Sequence, residues 1–303
     1  MTILGNGVLT LSCGPAACTI VPRAGGALAG FWWERNGKRF DWLRPAPPRA
    51  IADSDAQQMA CFPLVPYASR IRDGRFLFCG REVVEPPPVP EARHALHGHG
   101  WRRDWLIRER GEDRLVLEYR HEAAAWPWDY RARQTFTLTP EALVVGLEVK
   151  NLSDDLMPAG LGFHPSFPRR PAAVVRAAAS GVWLADAECL PTEKTAVPPA
   201  WDLAEGRPLA DLALDHVFTG WNGRAVIAWP EEGASLALEA CHPLLSFLAV
   251  ETRPEAESFC LKPVSHCADA INLAREGVPD TGLRVLAPGA RRSARLTLRP
   301  HWN

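Results

Sequence analysis

Four stretches of the chain place ionisable side chains among apolar neighbours, where a polar binding or reactive site can form. They span residues 61–76, 93–105, 160–168 and 259–272. In the first stretch, Arg70 and Arg72 share one face if the segment is extended, and either guanidinium could bind hydroxyls or an anionic group. The competing interpretation is a solvated edge of the protein with ion-paired arginines, which this stretch taken by itself favours, and the spacing leaves the choice between the two arginines open.

The second stretch contains His94, His97 and His99 within six positions. On a strand, His97 and His99 would point to the same side, a spacing that can hold one metal ion. This suggests an all-β metal-dependent oxygenase, although Asp104 is the only carboxylate that follows closely. The other use of these rings is as uncharged imidazoles that donate hydrogen bonds or transfer protons.

His164 and Lys262 are the candidates in the third and fourth stretches. His164 lies between Phe163 and Pro165, which should hold its ring in one orientation. Lys262 follows three apolar residues and precedes a proline, and it is one of only four lysines among 34 basic residues. Because such a lysine should be buried, we expect its pKa to be lowered. Lys262 is therefore predicted to have a functional role, whereas His164 taken by itself is also explained as a core histidine whose ring nitrogens have partners inside the protein.

The elements that must position these residues are strands. Period-two alternation recurs in short segments separated by Gly, Pro, Asn or Asp, whereas helical periodicity is not sustained over any window of 12 residues. The chain also has 28 prolines and 23 glycines, which favours turns over helices. We therefore predict an all-β protein with few helices, folded as a single large antiparallel β-sandwich over residues 1–303. The alternating segments are 8–12, 75–79, 114–119, 131–139, 143–150, 225–229, 235–239 and 295–299.

Composition excludes several classes of protein. The 303 residues carry a formal net charge of −1, so no partner nucleic acid and no membrane surface is expected. No run approaches the roughly 18 apolar residues of a spanning helix, and residues 1–22 lack a basic stretch before their apolar residues, so the cytoplasm is the expected location. The eight cysteines form no Cys-x-x-Cys pair and are expected to be reduced. Of the 12 tryptophans, one or two, Trp105 among the candidates, are expected to contact a sugar.

Taken in order, these segments resemble the aldose 1-epimerase (galactose mutarotase) family. Ser69-Arg70-Ile71-Arg72-Asp73-Gly74-Arg75-Phe76 is similar to the family's Asn-Arg-Ile-x-x-Gly-x-Phe, and Leu96-His97-Gly98 to its Leu-His-Gly. Further matches are a second histidine segment, a Leu-Asp-His-x-Phe stretch, an Asp-Ala-x-Asn signature and a Leu-x-Pro-Gly before the last strand. These lie at residues 162–167, 214–218, 269–272 and 286–289.

The resemblance implies a galactose mutarotase-like β-sandwich (supersandwich) with an open sugar cleft, no metal and no organic cofactor. It further implies that His164 is the acid at the ring oxygen, that His97 and Arg70 position the sugar and stabilise negative charge on oxygen, and that Asp215 accepts hydrogen bonds from hydroxyls. His99 and Trp105 are expected to contribute to substrate binding. The expected partner is a monosaccharide, and the protein is expected to be a monomer or a homodimer.

The sequence departs from the family at the base. Where the family has a glutamate shortly before Asp-Ala-x-Asn, this chain has Lys262, and the nearest upstream carboxylate, Glu251, lies 11 positions earlier on what is predicted to be a different strand. Three hypotheses remain open. Lys262 is neutral and acts as the base, or His266 or His99 replaces it. Alternatively the protein binds an acidic or phosphorylated sugar without catalysis, and Lys262 pairs with the anionic group.

Overall fold

The computed structural model describes residues 3–4, 7–210 and 212–302 of the chain, which form 27 strands and two short α-helices. The helices are α1 (Pro48–Asp53) and α2 (Ala270–Arg275). The strands are β1 (Ile3–Leu4), β2 (Val8–Cys13), β3 (Ala16–Val21), β4 (Ala27–Arg35), β5 (Lys38–Asp41), β6 (Cys61–Leu64), β7 (Arg70–Ile71), β8 (Arg75–Phe78), β9 (Arg81–Val84), β10 (Ala95–Leu96), β11 (Leu106–Arg110), β12 (Arg114–His121), β13 (Tyr130–Leu138), β14 (Leu143–Asn151), β15 (Met157–Ala159), β16 (Gly162–Pro168), β17 (Val174–Ala177), β18 (Gly181–Ala185), β19 (Pro191–Thr195), β20 (Leu203–Pro208), β21 (Leu214–Thr219), β22 (Arg224–Trp229), β23 (Ala234–Ala240), β24 (Phe247–Thr252), β25 (Ser258–Val264), β26 (Arg284–Leu286) and β27 (Arg291–Trp302).

Two large sheets account for most of the strands. The first has 12 strands in the order β1-β2-β3-β4-β6-β16-β25-β24-β21-β18-β19, with β5 paired to β4. The second has nine, in the order β11-β12-β13-β14-β27-β23-β22-β17-β20, and the pairs β7/β10, β8/β9 and β15/β26 stand apart. Every strand ladder of the described residues is antiparallel. The prediction of a large antiparallel β-sandwich with few helices is confirmed.

Alternating burial explains why these sequences form sheets. Along β13 and β14, buried residues strictly alternate with partly exposed ones, so each strand turns one apolar face inward. Side chains from both large sheets meet in one hydrophobic core, the arrangement expected if the chain is a single domain. Each large apolar side chain buried there contributes about 1.5–3 kcal/mol.

The strands predicted from period-two alternation are confirmed, with ends that shift by up to four residues. Six of the eight fall in the nine-stranded sheet, as β12, β13, β14, β22, β23 and β27. The four strands β16, β21, β24 and β25, which carry polar residues of the predicted site, belong instead to the interior of the 12-stranded sheet. Within the described part of the chain, no helix has the length and apolar character that a membrane span requires.

The alternation in β13 makes a testable prediction about stability. Phe136→Ala removes a ring that is 1% exposed in the shared core, and we expect it to lower the free energy of unfolding by about 3–5 kcal/mol because a cavity remains. Thr135→Ala, on the opposite face of the same strand, should cost far less. Urea denaturation followed by tryptophan fluorescence measures both, and equal losses would contradict the assigned faces.

Candidate active site

Five neighbouring strands of the 12-stranded sheet bring the candidate residues onto one face. Asp215 of β21 pairs with Glu251 of β24, and Glu251 pairs with Cys260 of β25. Two residues further along the same two strands, Ala249 of β24 pairs with Lys262 of β25. Because side chains two residues apart share a face, Asp215, Glu251 and Lys262 all point to the same side.

His164 lies on β16, which pairs with β25 on the side away from β24. The register of β16 against β25 runs from Gly162–Val264 to Ser166–Cys260, which places His164 across from Lys262. On its other side His164 pairs with Phe62 of β6, and the two rings stack with centroids 4.3 Å apart and planes inclined by 19°. A lysine, a histidine and an aromatic ring thus lie side by side on the sheet.

Lys262 and Glu251 form an ion pair across the β24–β25 ladder. Lys262 Nζ donates to Glu251 Oε2 at 2.6 Å, with the lysine side chain 10% and the glutamate side chain 37% exposed. Burial alone would lower the pKa of Lys262, but the negative charge of Glu251, with a smaller effect of Asp215, outweighs it, and the net shift is upward. Lys262 also lowers the pKa of Glu251, against the effect of burial. The pair is therefore an ammonium and a carboxylate at neutral pH.

This pairing contradicts the hypothesis that Lys262 is a neutral base. The sequence suggested a lysine surrounded by apolar and cationic groups, whereas the structure provides a carboxylate at hydrogen-bonding distance. A protonated amine has no lone pair with which to accept a proton. Glu251 lies on a different strand from Lys262, as predicted, but the strands are neighbours and the carboxylate reaches the site.

His97 faces His164 from a turn outside the sheet. Their ring centroids are 5.6 Å apart at an interplanar angle of 86°. The backbone N–H of Ser69 donates to His97 Nδ1 at 2.9 Å, and the backbone N–H of His97 donates to the carbonyl of Ser69 at 2.9 Å. When His97 is neutral, its proton must consequently sit on Nε2, which makes that atom a hydrogen-bond donor.

Neither imidazole is charged at neutral pH. Burial, followed by the charges of His164, Lys262 and Arg70, holds the pKa of His97 well below its usual range. Burial and then the ammonium of Lys262 do the same for the pKa of His164, whose Nδ1 has no partner among the described residues. The site thus combines two uncharged rings with one fixed ion pair.

The glycine of the Leu-His-Gly motif is a steric requirement of the turn. Gly98 has φ +67°, and a Cβ there would lie 2.3 Å from the carbonyl oxygen of Val65. That carbonyl accepts hydrogen bonds from the backbone N–H groups of His99 and Gly100. The close approach of the two backbones fixes the turn that presents His97.

The Asp-Ala-x-Asn signature resolves the choice between Arg70 and Arg72. Asp269 is 1% exposed, pairs with the guanidinium of Arg72 at 3.2 Å and accepts from the backbone N–H of Arg72 at 3.0 Å. Its own backbone N–H donates to the carbonyl of Arg70 at 2.7 Å, and Asn272 donates to its carboxylate. Asp269 therefore holds the backbone around Arg70–Arg72 in place, and Arg72 is its ion-pair partner. Arg70 points into the site, and among the described residues its guanidinium has no hydrogen bond or ion pair.

Two adjoining hollows meet at the ion pair. The arginine hollow, of about 50 Å³, is lined by Arg70, His97, Asp215, Lys262, Cys189 and Trp183, and the histidine hollow, of about 420 Å³, by His97, His164, Glu251, Phe62, Trp101 and Glu257. His97 lines both, while Lys262 and Glu251 line one each. The volume of the histidine hollow is typical of a small-molecule site, and the arginine hollow is a small extension beside it. The tryptophans at the hollows are Trp101 and Trp183, which sequence spacing did not distinguish from core tryptophans.

Asp215 lines the arginine hollow and is held there by Cys189. The thiol of Cys189 donates to Asp215 Oδ2 at 3.3 Å, and burial followed by that carboxylate raises the pKa of Cys189. The thiol therefore stays protonated and remains a donor. Asp215 retains its other oxygen as an acceptor for a ligand hydroxyl, consistent with the role that the resemblance implies.

The structure contradicts the expected binding roles of His99 and Trp105. His99 is 5% exposed, with Nε2 at 2.8 Å from Glu85 and Nδ1 at 3.0 Å from Tyr130, so both ring nitrogens are occupied inside the protein. Trp105 is 3% exposed and donates to the carbonyl of Gly100 at 2.8 Å. Because the chain turns between His97 and His99 instead of continuing as a strand, their rings diverge. The pairing behind the metal-dependent oxygenase hypothesis is therefore absent from the described structure.

His266 is likewise no candidate base. Its Nδ1 lies 2.7 Å from the carbonyl of Cys267, and its Nε2 accepts from the backbone N–H of Ala68 at 3.1 Å. The ring is buried beside Gly160, where a Cβ would lie 2.2 Å from Nε2. Both nitrogens are used to hold segments of the backbone together.

Among the residues that the structure describes, one group of side chains could ligate a metal ion. Ligand atoms of His164, Glu251 and Cys260 all lie within 4.8 Å of one another. Two features oppose a cation there: the Lys262 ammonium already lies 2.6 Å from the Glu251 carboxylate, and burial raises the pKa of Cys260, which keeps it a thiol. The donor set suits proton transfer better than metal binding.

The chain is similar to known proteins over almost its whole length. The family model described as aldose 1-epimerase matches residues 8–299. The uncharacterized protein YphB of Escherichia coli strain K12 is 34% identical, with 97% of this chain and 99% of that protein covered.

Solved structures are also similar. A crystal structure from Escherichia coli K12, described as a candidate aldose 1-epimerase, has a TM-score of 0.86 at 33% identity and covers 98% of this chain and 99% of its own. A galactose mutarotase-like protein from Clostridium acetobutylicum has a TM-score of 0.84 at 18% identity, with 98% and 95% covered. At that identity, the second similarity concerns the fold alone.

The electrostatics of the site can be tested on its histidines. Lys262→Met removes a cation and leaves the Glu251 carboxylate unpaired, so we expect the pKa of His164 to rise towards its ordinary value. NMR titration of isotopically labelled histidine rings measures this shift. Lys194→Met, which removes an ammonium paired with Asp280 at 3.2 Å on the surface, should leave the pKa of His164 unchanged. An unaltered His164 pKa in Lys262→Met would show that the ion pair does not control the ring.

Proposed function

Because the chain belongs to the aldose 1-epimerase family, we propose that it interconverts the α and β anomers of a monosaccharide by acid–base ring opening. The observation that carries this proposal is the pair of uncharged imidazoles, His97 and His164, which face each other at 5.6 Å beside an unpaired arginine and an acceptor carboxylate. A hemiacetal presents two oxygens on one carbon, and two proton-active groups at this separation can address both. The single domain, the cytoplasmic location and assembly as a monomer or homodimer stay predictions.

Ring opening moves two protons and one electron pair. The O1 hydroxyl loses its proton and becomes a carbonyl oxygen, while the C1–O5 bond breaks with its electrons going to O5, which takes up a proton. C1 then rotates, and the reverse steps close the ring on its other face. The atoms balance without an oxidant, a reductant or a net proton.

Different residues act on the oxygens near C1 and on the hydroxyls remote from C1. His164 supplies the proton to O5, and its low pKa makes its imidazolium a strong acid whose population falls as the pH rises. His97, with its proton on Nε2, and Arg70 donate to sugar oxygens and stabilise negative charge as it develops. Asp215, which lines the arginine hollow but not the histidine hollow, accepts from hydroxyls remote from C1.

A second function is favoured by the unpaired guanidinium of Arg70 beside the Lys262 ammonium. Two cations in one hollow suit a uronic acid or a sugar phosphate, which could be a substrate or a ligand bound without turnover. A panel of α-glucose, α-galactose, galacturonic acid and glucose 6-phosphate distinguishes these uses, because exchange NMR measures anomer interconversion and line broadening measures binding in the same sample.

The catalytic assignment predicts the behaviour of one variant. His164→Ala should lower kcat for anomer interconversion by about 10²- to 10⁴-fold, the usual contribution of a general acid or base, with sugar binding largely retained. His121→Ala provides a histidine control away from both hollows. A fully active His164→Ala protein would remove His164 from the mechanism. If the wild-type protein accelerates no sugar and Lys262→Glu gains activity, the protein is a binder and not an enzyme.

A further inference from the structure

We propose that Glu251 is the catalytic base that removes the O1 proton, with Lys262 as the positioning residue that fixes its carboxylate. This inference rests on the proposed anomerase function and deepens it. Glu251 lies on β24, whereas the family's glutamate corresponds to position 262 on the neighbouring strand β25. The juxtaposition that carries it is the β24–β25 ladder, which brings the Glu251 carboxylate and the Lys262 ammonium to 2.6 Å.

Glu251 has the position that the reaction requires. A carboxylate oxygen lies within 4.8 Å of a ring nitrogen of His164, and both side chains line the histidine hollow together with His97. A base and an acid at that separation can each contact one of the two oxygens bonded to C1 of the same sugar. The glutamate side chain is 37% exposed, so a substrate can reach it without a rearrangement of the sheet.

Other groups near C1 are less suited to accept a proton. Lys262 is an ammonium, and His97 already accepts at Nδ1 from Ser69, which leaves a donor on Nε2. The carboxylate of Asp215 lines the arginine hollow and not the histidine hollow. Glu257 lines the histidine hollow too, but it is an exposed residue without an ion pair among the described contacts.

The ion pair keeps Glu251 in the reactive protonation state. The ammonium of Lys262 lowers the pKa of Glu251 in spite of burial, so the carboxylate remains ionised throughout the neutral range. Lys262 occupies one oxygen, Oε2, and the other is available to the sugar hydroxyl. The lysine also restricts the rotamers of Glu251, and a base held in one orientation loses less entropy when it reacts.

The proton balance closes within one turnover. The step takes place in the minor fraction of molecules in which His164 has taken up a second proton. The Glu251 carboxylate takes the O1 proton as the C1–O5 bond breaks, and the imidazolium of His164 protonates O5. On closure, O5–H returns its proton to His164 as O5 attacks C1, and the Glu251 carboxylic acid protonates the former carbonyl oxygen. Both groups recover their starting forms.

The direct test replaces the carboxylate by its isosteric amide. Glu251→Gln should lower kcat by about 10²- to 10⁴-fold with KM changed much less, and the acidic limb of the pH profile of kcat/KM should disappear. Glu239→Gln is the matched control, because Glu239 is also a paired strand carboxylate, 36% exposed, but lies in the nine-stranded sheet. Formate added to Glu251→Ala should restore part of the rate, which a purely structural role would not allow.

Lys262→Met tests the positioning role. Without the ammonium, the pKa of Glu251 should rise, so the acidic limb of kcat/KM should move to higher pH, with much of the activity kept above that limb. Lys194→Met should leave the profile unchanged. If Glu251 merely neutralised Lys262, Glu251→Gln and Lys262→Met would lose activity alike, and formate would restore nothing.

Failure of this inference differs from failure of the proposed function. A wild-type protein inactive on every sugar of the panel overturns the function. If the wild type is active and Glu251→Gln is folded and equally active, the assignment of Glu251 alone is overturned. The same holds if the wild type is active and, of the two variants, only Glu257→Gln is impaired. Circular dichroism of each variant, together with sugar binding by NMR, identifies a variant that has lost its fold.

Discussion

The ion pair between Lys262 and Glu251 is the interaction on which the chemistry of the site depends. A buried ammonium is stable only beside a counter-charge, and here the sheet provides a carboxylate from the adjacent strand. The pair then acts on its surroundings, because the lysine disfavours the charged form of His164 while it favours the charged form of Glu251. The ion pair thus sets the protonation state of Glu251 and adds to the effect of burial on His164.

The scaffold holds this arrangement by two different means. Interior strands of a 12-stranded sheet fix Glu251, Lys262 and His164 through register, which leaves little freedom to slip. His97 comes instead from a turn, and Arg70 from the short strand β7 that directly follows one; in these turns the non-glycine residues Ser69 (φ 59°) and His97 (φ 61°) adopt the left-handed region. Such conformations cost about 1–3 kcal/mol each and persist only when the surroundings impose them. Two groups of contacts impose these backbone conformations: the reciprocal hydrogen bonds between Ser69 and His97, and the contacts of Asp269 with Arg70 and Arg72.

Much of the fold could be predicted from the sequence, and the reason is visible in its strands. The nine-stranded sheet is covered on one face only, so β13 and β14 alternate clearly. Strand β25 is buried along almost its whole length, and β24 nearly so, so neither shows a period of two. The motifs located His97, His164 and Arg70. The role of Glu251 was not predictable, because it depends on the register between two strands, and no residue spacing reports that 251 and 262 meet. His99 was misjudged because a turn at Gly98 replaces the expected strand.

The central claim is that Glu251 is an ionised carboxylate held by Lys262. The most direct measurement is a ¹³C NMR titration of the side-chain carboxyl carbon of Glu251 in labelled protein, assigned with Glu251→Gln. We predict that this carboxyl titrates below the ordinary glutamate value of about 4.3. A carboxyl that titrates at or above that value in the wild-type protein would contradict the account.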